Sequence, residues 1–64
     1  MLRVQLKSRG RKRYHTLREF HTLADAQACM YRVAMLPETR YRIVDPDKGV
    51  VDEVYVPLYG GESK

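Results

Sequence analysis

Seven basic residues and no acidic residue occupy the first eighteen positions of this 64-residue chain. The rest of the chain carries five basic and eight acidic residues, so the positive charge is concentrated at the front of a chain whose net charge is +4. A localised positive field attracts polyanions, and nucleic acid is therefore the first partner to expect, ahead of an acidic protein or an anionic surface. The residues predicted to contact nucleic acid are Lys7, Arg9, Arg11, Lys12, Arg13 and Tyr14.

The spacing of these residues indicates how they could bind. Phosphate contacts require exposed cations, and the four cations between positions 9 and 13 crowd the tip of a predicted hairpin, which can enter a groove or follow a backbone. Tyr14 or His15 could stack on a base if its ring faces outward. The alternative is a solvated turn whose charge promotes solubility and protects the edge strands. Both DNA and RNA remain open as the ligand.

A second candidate surface lies on the helix predicted in the middle of the chain. Ala24, Ala28, Tyr31 and Met35 follow one another at helical spacing with little charge between them. In a chain so rich in charge, this stripe could contact a partner protein. The alternative is a wide, partly buried helix face that lies against the margin of the sheet.

Metal and catalytic chemistry receive little support from the residue spacing. His15, His21 and Cys29 match no standard zinc pattern and lack a fourth ligand. Asp45 and Asp47 are explained by turn formation, and the chain has no glycine-rich phosphate loop or nucleophile elbow. We therefore expect a non-catalytic binding protein with no catalytic residue, no metal and no cofactor.

The cysteine content indicates the compartment. Cys29 is the only cysteine, whereas a small secreted scaffold usually needs several disulfides. We therefore expect a cytoplasmic protein, in the cytoplasm of the host if a phage encodes it. No apolar run is long enough for a signal sequence or a membrane span, so no membrane partner is expected.

The front of the chain is predicted to form a hairpin. Leu2, Val4 and Leu6 alternate with polar residues, which is typical of a half-buried strand. Residues 8–12 form a turn in which Gly10 adopts a positive φ, and residues 13–20 form the second strand. The alternation of this strand is broken at Leu17, which predicts a bulge there.

Thr22 begins the clearest helical segment. Its hydroxyl can cap the helix, and Asp25 complements the positive helix end. We expect the helix to span residues 23–36 and to end at Pro37. Its apolar face should contain Leu23, Ala26, Cys29, Met30, Val33 and Leu36.

The remaining elements complete an α+β domain. Residues 40–45 and 50–58 are predicted strands joined by an Asx turn at Asp45, and Pro57 suggests that the last strand lies at a sheet edge. The predicted fold is a single helix packed on a four-stranded antiparallel sheet, in the order β-β-α-β-β, within one domain of residues 1–59. Residues 60–64 are expected to form a flexible tail. Edge strands at both hairpins would allow a homodimer by sheet extension.

Two resemblances bear on the partner. The run Phe20–Ala26, a helix ending at Pro37 and the strand Tyr41–Asp45 resemble small bacteriophage proteins, among them inhibitors of host RNA polymerase that place a helix across a short antiparallel sheet. This resemblance covers residues 13–45 and implies a regulator that docks on a host enzyme. Residues 10–34 are similar to the arm-binding domains of phage integrases, which read DNA with a sheet face. Neither resemblance assigns a role to an individual residue.

Overall fold

The computed structural model describes residues 1–58, which form four strands and one helix. The elements are β1 (Leu2–Ser8), β2 (His15–Phe20), α1 (Leu23–Val33), β3 (Thr39–Asp45) and β4 (Gly49–Val56). The strands form one antiparallel sheet in the order β2-β1-β3-β4, and the helix lies against one face of it. The predicted α+β fold is confirmed. The predicted tail, residues 60–64, lies outside the described residues.

The core forms where the helix meets the two central strands. Because successive side chains of a strand point to opposite faces, alternate residues of β1 and β3 face the helix. The buried apolar side chains are Leu2, Val4, Ala26, Met30, Tyr41 and Ile43. Val4, Met30 and Ile43 are 0% exposed, so the small core is closed to solvent at its centre. None of the described helices is long and apolar enough to cross a membrane.

Each outer strand contains a bulge. In β2, Arg18 pairs with Val4 and Thr16 pairs with Gln5, which leaves Leu17 as the extra residue, as the sequence predicts. In β4, Asp52 pairs with Ile43 and Val50 pairs with Val44, so Val51 is the extra residue. This second bulge was not predicted. With simple alternation, Val50 would lie on the same face of the sheet as Asp52, towards the helix. The bulge instead places Val50 on the opposite face and lets Val51 pack against the core.

The helix begins as predicted and ends earlier. The backbone N–H of Asp25 donates to the Thr22 hydroxyl at 3.2 Å, which confirms the cap. The prediction that the helix reaches Leu36 is wrong, because α1 ends at Val33. A residue before proline is disfavoured in helical conformation, and the N–H of Leu36 donates to the Tyr41 hydroxyl at 3.2 Å.

The predicted apolar face of the helix is wrong at Leu36 and Leu23. Leu36 is 54% exposed beyond the helix, and Leu23 is 41% exposed in its first turn. Neither residue belongs to the buried core.

Strand boundaries also differ slightly from the predictions. The second strand begins at His15 instead of Arg13, because the basic residues before it belong to the turn region. The third strand begins at Thr39, and the fourth spans Gly49–Val56 instead of residues 50–58. Both predicted turns are confirmed: Gly10 and Gly49 have φ values of 85° and 86°. The Asp45 side chain accepts the N–H of Asp47 at 2.7 Å, forming the predicted Asx turn.

Candidate nucleic-acid interface

The face of the sheet opposite the helix carries charged and aromatic side chains. In β1, Leu2 and Val4 lie in the core, so Arg3, Gln5 and Lys7 project from the other face. Their partners on the neighbouring strands extend this surface across the sheet. We call it the open face.

One end of the open face, beside the β1–β2 hairpin, is crossed by a row of aromatic and basic residues. Lys7 pairs with Arg40 on β3, and Arg40 pairs with Tyr55 on β4. On the other side of Lys7, its amine lies 5.1 Å from the centroid of the Tyr14 ring. The row therefore has a tyrosine at each edge of the sheet and two cations between them. We call these four residues, Tyr14, Lys7, Arg40 and Tyr55, the tyrosine row.

Tyr14 is held in place by a polar network. The guanidinium carbon of Arg42 lies 3.5 Å from the centroid of the Tyr14 ring, a close cation–π contact. Arg42 Nε donates to Gln5 Oε1 at 2.9 Å, and Gln5 Nε2 donates to the Thr16 hydroxyl at 3.0 Å. These contacts link β3, β1 and β2 across the open face and fix the position of the ring just before β2.

Tyr55, at the opposite edge, is more accessible. Its side chain is 51% exposed, and the guanidinium of Arg40 lies 5.6 Å from its ring centroid. Arg40 also forms a 3.4 Å ion pair with Glu53, at which both side chains remain about half exposed. Such a solvated pair contributes little stability, so Arg40 can exchange Glu53 for another anion at low cost.

The predicted hairpin cations differ in how far they are already neutralised. Arg9 is tied to the β3 side: its guanidinium lies 2.8 Å from the Glu38 carboxylate, and its N–H donates to the Glu38 carbonyl at 2.9 Å. Arg11, Lys12 and Arg13 are exposed, and within residues 1–58 none of them forms an ion pair. Among the described residues, the turn therefore presents three positive charges without an acidic partner on an anchored loop.

Two shallow depressions flank Lys7. One has a volume of about 380 Å³ and is lined by Tyr14, Lys7, Arg11 and Arg13 together with Leu6, Ser8 and His15, whose strand positions face the helix side of the sheet. The other has a volume of about 340 Å³ and is lined by Tyr55 together with Lys7, Arg11 and Arg40. Each tyrosine thus lies beside a concave, positively charged surface. Glu38, the one acidic residue that lines the second depression, is engaged by Arg9.

The other end of the open face is nearly neutral. Arg3 pairs with Glu19 at 3.1 Å, and its other neighbour in the sheet, Val44, is apolar. Next to Val44 lies Val50, which is 49% exposed. The positive charge is therefore graded along the strands and is greatest at the hairpin.

The alternative protein-binding residues lie on the helix side. Ala24, Ala28 and Tyr31 are exposed on α1, whereas Met35 lies beyond the end of the helix and is 75% exposed. The predicted stripe is therefore accessible but does not lie on one continuous helix. Tyr31 is 56% exposed, and its hydroxyl donates to Asp52 at 3.2 Å.

Asp52 connects the helix to the outer strand β4. Gln27 Nε2 donates to the Asp52 carboxylate at 3.0 Å, and this bond lowers the pKa of Asp52. The bond from Tyr31 to the same carboxylate raises the pKa of Tyr31, because it stabilises the protonated hydroxyl. These contacts give Tyr31 a structural role at the helix margin.

Sequence reasoning located the hairpin cations and missed half of the surrounding surface. Arg40, Arg42 and Tyr55 were not predicted as site residues, although Arg40 and Arg42 alternate with the buried Tyr41 and Ile43. That alternation could have identified them. Once β1 and β3 are known to pair, it places both arginines on the same face of the sheet as Lys7. Within residues 1–58, no three His, Cys, Asp or Glu side chains lie close enough together to hold a metal ion.

Comparison with known proteins gives no functional assignment, so a functional assignment has to rest on the geometry of this surface. No protein-family model, curated protein or solved structure matches the chain.

Proposed function

We propose that this protein binds nucleic acid through the β1–β2 hairpin and the adjoining end of the open face, without catalysing a reaction. One observation carries the proposal: Arg11, Lys12 and Arg13 are exposed and form no ion pair within the described part of the chain. Cations without a partner break no internal ion pair when they meet a phosphate. Most of their attraction to a polyanion is therefore available for binding.

The surroundings of the turn support the same ligand. Lys7 and Arg40 continue the positive surface from the turn onto the sheet, and two tyrosines border it. Phosphate contacts position a nucleic acid, and aromatic rings add contacts to its bases. The free cysteine, Cys29, favours the reducing cytoplasm, where nucleic acids are accessible.

A salt series tests the proposal. Binding of fluorescein-labelled single-stranded and duplex DNA and RNA is measured by fluorescence anisotropy from low to physiological ionic strength. For a duplex, the logarithm of the association constant should fall by about 0.9 per log unit of salt for each phosphate that the protein neutralises. Replacement of Arg11, Lys12 and Arg13 by Gln should weaken binding and lower this slope by about 0.9 for each phosphate no longer neutralised.

The matched control removes the same charge elsewhere. Arg18, Arg32 and Lys48 lie outside the β1–β2 turn and the tyrosine row, Arg18 being a residue of β2 beside the helix, and their replacement by Gln lowers the net charge equally. This control should retain most of the affinity. Absence of salt-sensitive binding to any of the four ligands, or an equal reduction of affinity in both triple variants, contradicts the proposal.

A second candidate function rests on the exposed apolar residues around the end of α1. Tyr31 and Met35 are 56% and 75% exposed, which suits a contact with a host protein, as expected for a phage-type regulator of an enzyme such as RNA polymerase. Affinity capture from a host lysate, with and without nuclease, separates the two functions. Nuclease-resistant partners that no longer bind Tyr31→Asp and Met35→Asp would support the second function.

A further inference from the structure

We propose that the ligand is a single-stranded nucleic acid that lies across the strands along the tyrosine row. Bases would stack on Tyr55 and on the face of the Tyr14 ring that Arg42 does not cover, and the intervening phosphates would contact Lys7 and Arg40. This inference rests on the proposed function, because it names the form of nucleic acid that the same surface binds.

The order of residues in the row matches the order of groups along a single strand. Tyr14 and Tyr55 stand at the two edges of the sheet, with Lys7 and Arg40 between them. Neighbouring strands are about 4.8 Å apart, so the backbones of the two edge strands are separated by roughly 14 Å. Single-strand RNA modules use four-stranded sheets in this way, with two or three bases stacked on aromatic side chains.

The depressions support the same arrangement. Tyr14 borders one of about 380 Å³ and Tyr55 borders another of about 340 Å³. Lys7 and Arg11 line both, so the depressions share positive charge. A base beside Tyr55 in the second depression would have Lys7 and Arg40 close to its phosphate.

A duplex fits the tyrosine row less well. The major groove of B-DNA is about 12 Å wide and admits a helix or a two-stranded ribbon, whereas the row extends over all four strands. In a duplex the flat faces of the bases are also covered by their neighbours, so neither tyrosine could stack without disrupting pairing. Only unpaired bases can use both rings together with both cations.

The experiment compares matched oligonucleotides and a pair of variants. Short mixed-sequence single strands of DNA and of RNA, and the corresponding duplexes, are titrated against the wild type, Tyr55→Val and Tyr55→Phe. Valine keeps a strand-forming side chain but removes the π face, whereas phenylalanine keeps the π face and removes the hydroxyl. Thermal unfolding of each variant establishes that it is folded.

Tyr55→Val should weaken single-strand binding about tenfold without altering the salt slope, and Tyr55→Phe should bind like the wild type. Lys7→Gln should instead reduce the slope by about 0.7. The chain has five tyrosines and no tryptophan, so the part of the fluorescence quenching that Tyr55→Phe and Tyr14→Leu remove reports stacking on the row. Tyr14→Leu provides a second test at the other edge.

The outcomes separate this inference from the proposed function. Tighter binding of single strands, with weaker binding by Tyr55→Val and Tyr14→Leu, supports it, and the DNA and RNA arms show which strand is preferred. If duplexes bind at least as tightly and both tyrosine variants bind normally, the inference is wrong while the proposed function stands. If no nucleic acid binds at low salt, the proposed function fails as well.

Discussion

The two faces of the sheet differ in what surrounds their side chains. On the helix side, Val4, Met30 and Ile43 are completely buried, and their contacts are apolar. On the open face, Lys7 and Arg42 lie against the Tyr14 ring, and three cations of the adjoining turn have no partner among the described residues. The same strands supply both faces, because alternate residues point in opposite directions.

This difference separates stability from binding. Burial of apolar area on the helix side favours folding, whereas the accumulation of positive charge on the open face opposes it through repulsion. Substitutions on the helix side should therefore change stability with little effect on ligand affinity. Substitutions at the hairpin end of the open face should change ligand affinity more than stability. Four comparisons of variants test this division, from the largest expected effect to the smallest.

Met30→Ala should produce the largest reduction in stability. Met30 is 0% exposed in a small core, and truncation of such a side chain costs about 2–5 kcal/mol. Urea unfolding monitored by circular dichroism measures this reduction. Met35→Ala is the matched control, since Met35 is 75% exposed and its truncation should cost less than about 0.5 kcal/mol. Equal costs would show that the helix side is not the source of stability.

Gly10→Ala and Gly49→Ala form the second comparison. Both glycines have a positive φ, and an added Cβ would meet no atom within 4 Å at either position. Each substitution should therefore cost about 1 kcal/mol through backbone strain alone. Only Gly10→Ala should also weaken nucleic-acid binding, because Gly10 lies between Arg9 and Arg11. Equal nucleic-acid affinities in the two variants would show that the turn does not belong to the binding surface.

Arg42→Gln tests the support of Tyr14. The substitution removes the 3.5 Å cation–π contact and the bond to Gln5, and should lower stability by about 0.5–1 kcal/mol. Single-strand affinity should fall several-fold because a charge is removed and the ring is no longer fixed. Arg32→Gln removes an equal charge from the exposed side of the helix and should leave affinity nearly unchanged. A similar fall in both variants would mean that only net charge matters.

Asp52→Asn should lower the stability of the fold least, and the size of this loss should depend on pH. The Gln27 bond lowers the folded pKa of Asp52 below its ordinary 3.8, so the carboxylate stabilises the fold above that pH. This contribution disappears as pH falls through the folded pKa. The stability difference between wild type and Asp52→Asn should therefore narrow in acid, as measured by urea unfolding at several pH values. A difference that widened in acid would contradict the assigned cause.

The contribution of Tyr31 to stability has the opposite pH dependence and is lost at alkaline pH. Its folded pKa is raised above 10.0 by the bond to Asp52, so its contribution is present below that pH and disappears as pH rises through the folded value.

Local patterns predicted most of the fold. The alternation of Leu2, Val4 and Leu6, the cap at Thr22 and the turn residues at Asp45 and Gly49 act over a few neighbouring positions. Their structures therefore follow from propensity and simple geometry. The bulge at Leu17 was also predicted, because one residue out of phase is visible within a single strand.

Features that depend on distant contacts were missed. The helix ends at Val33, and beyond it the Leu36 N–H donates to Tyr41, a residue of the following strand. The bulge at Val51 depends on pairing with β3, and the sequence of β4 alone gives no sign of it. Arg40 and Tyr55 of the tyrosine row were missed for the same reason, whereas Lys7 and Tyr14 were predicted as binding residues. The row is assembled from residues far apart in the chain, and its membership follows from the strand order.

The bulges have a further consequence for the behaviour of the protein in concentrated solution. Both outer strands carry one, at Leu17 and at Val51, so neither sheet edge presents an even ladder of hydrogen-bonding groups. Strand-by-strand growth into aggregates requires such a ladder, and irregular edges discourage it. A homodimer formed by sheet extension, which the edge strands would allow, would have to pair across one of these interruptions.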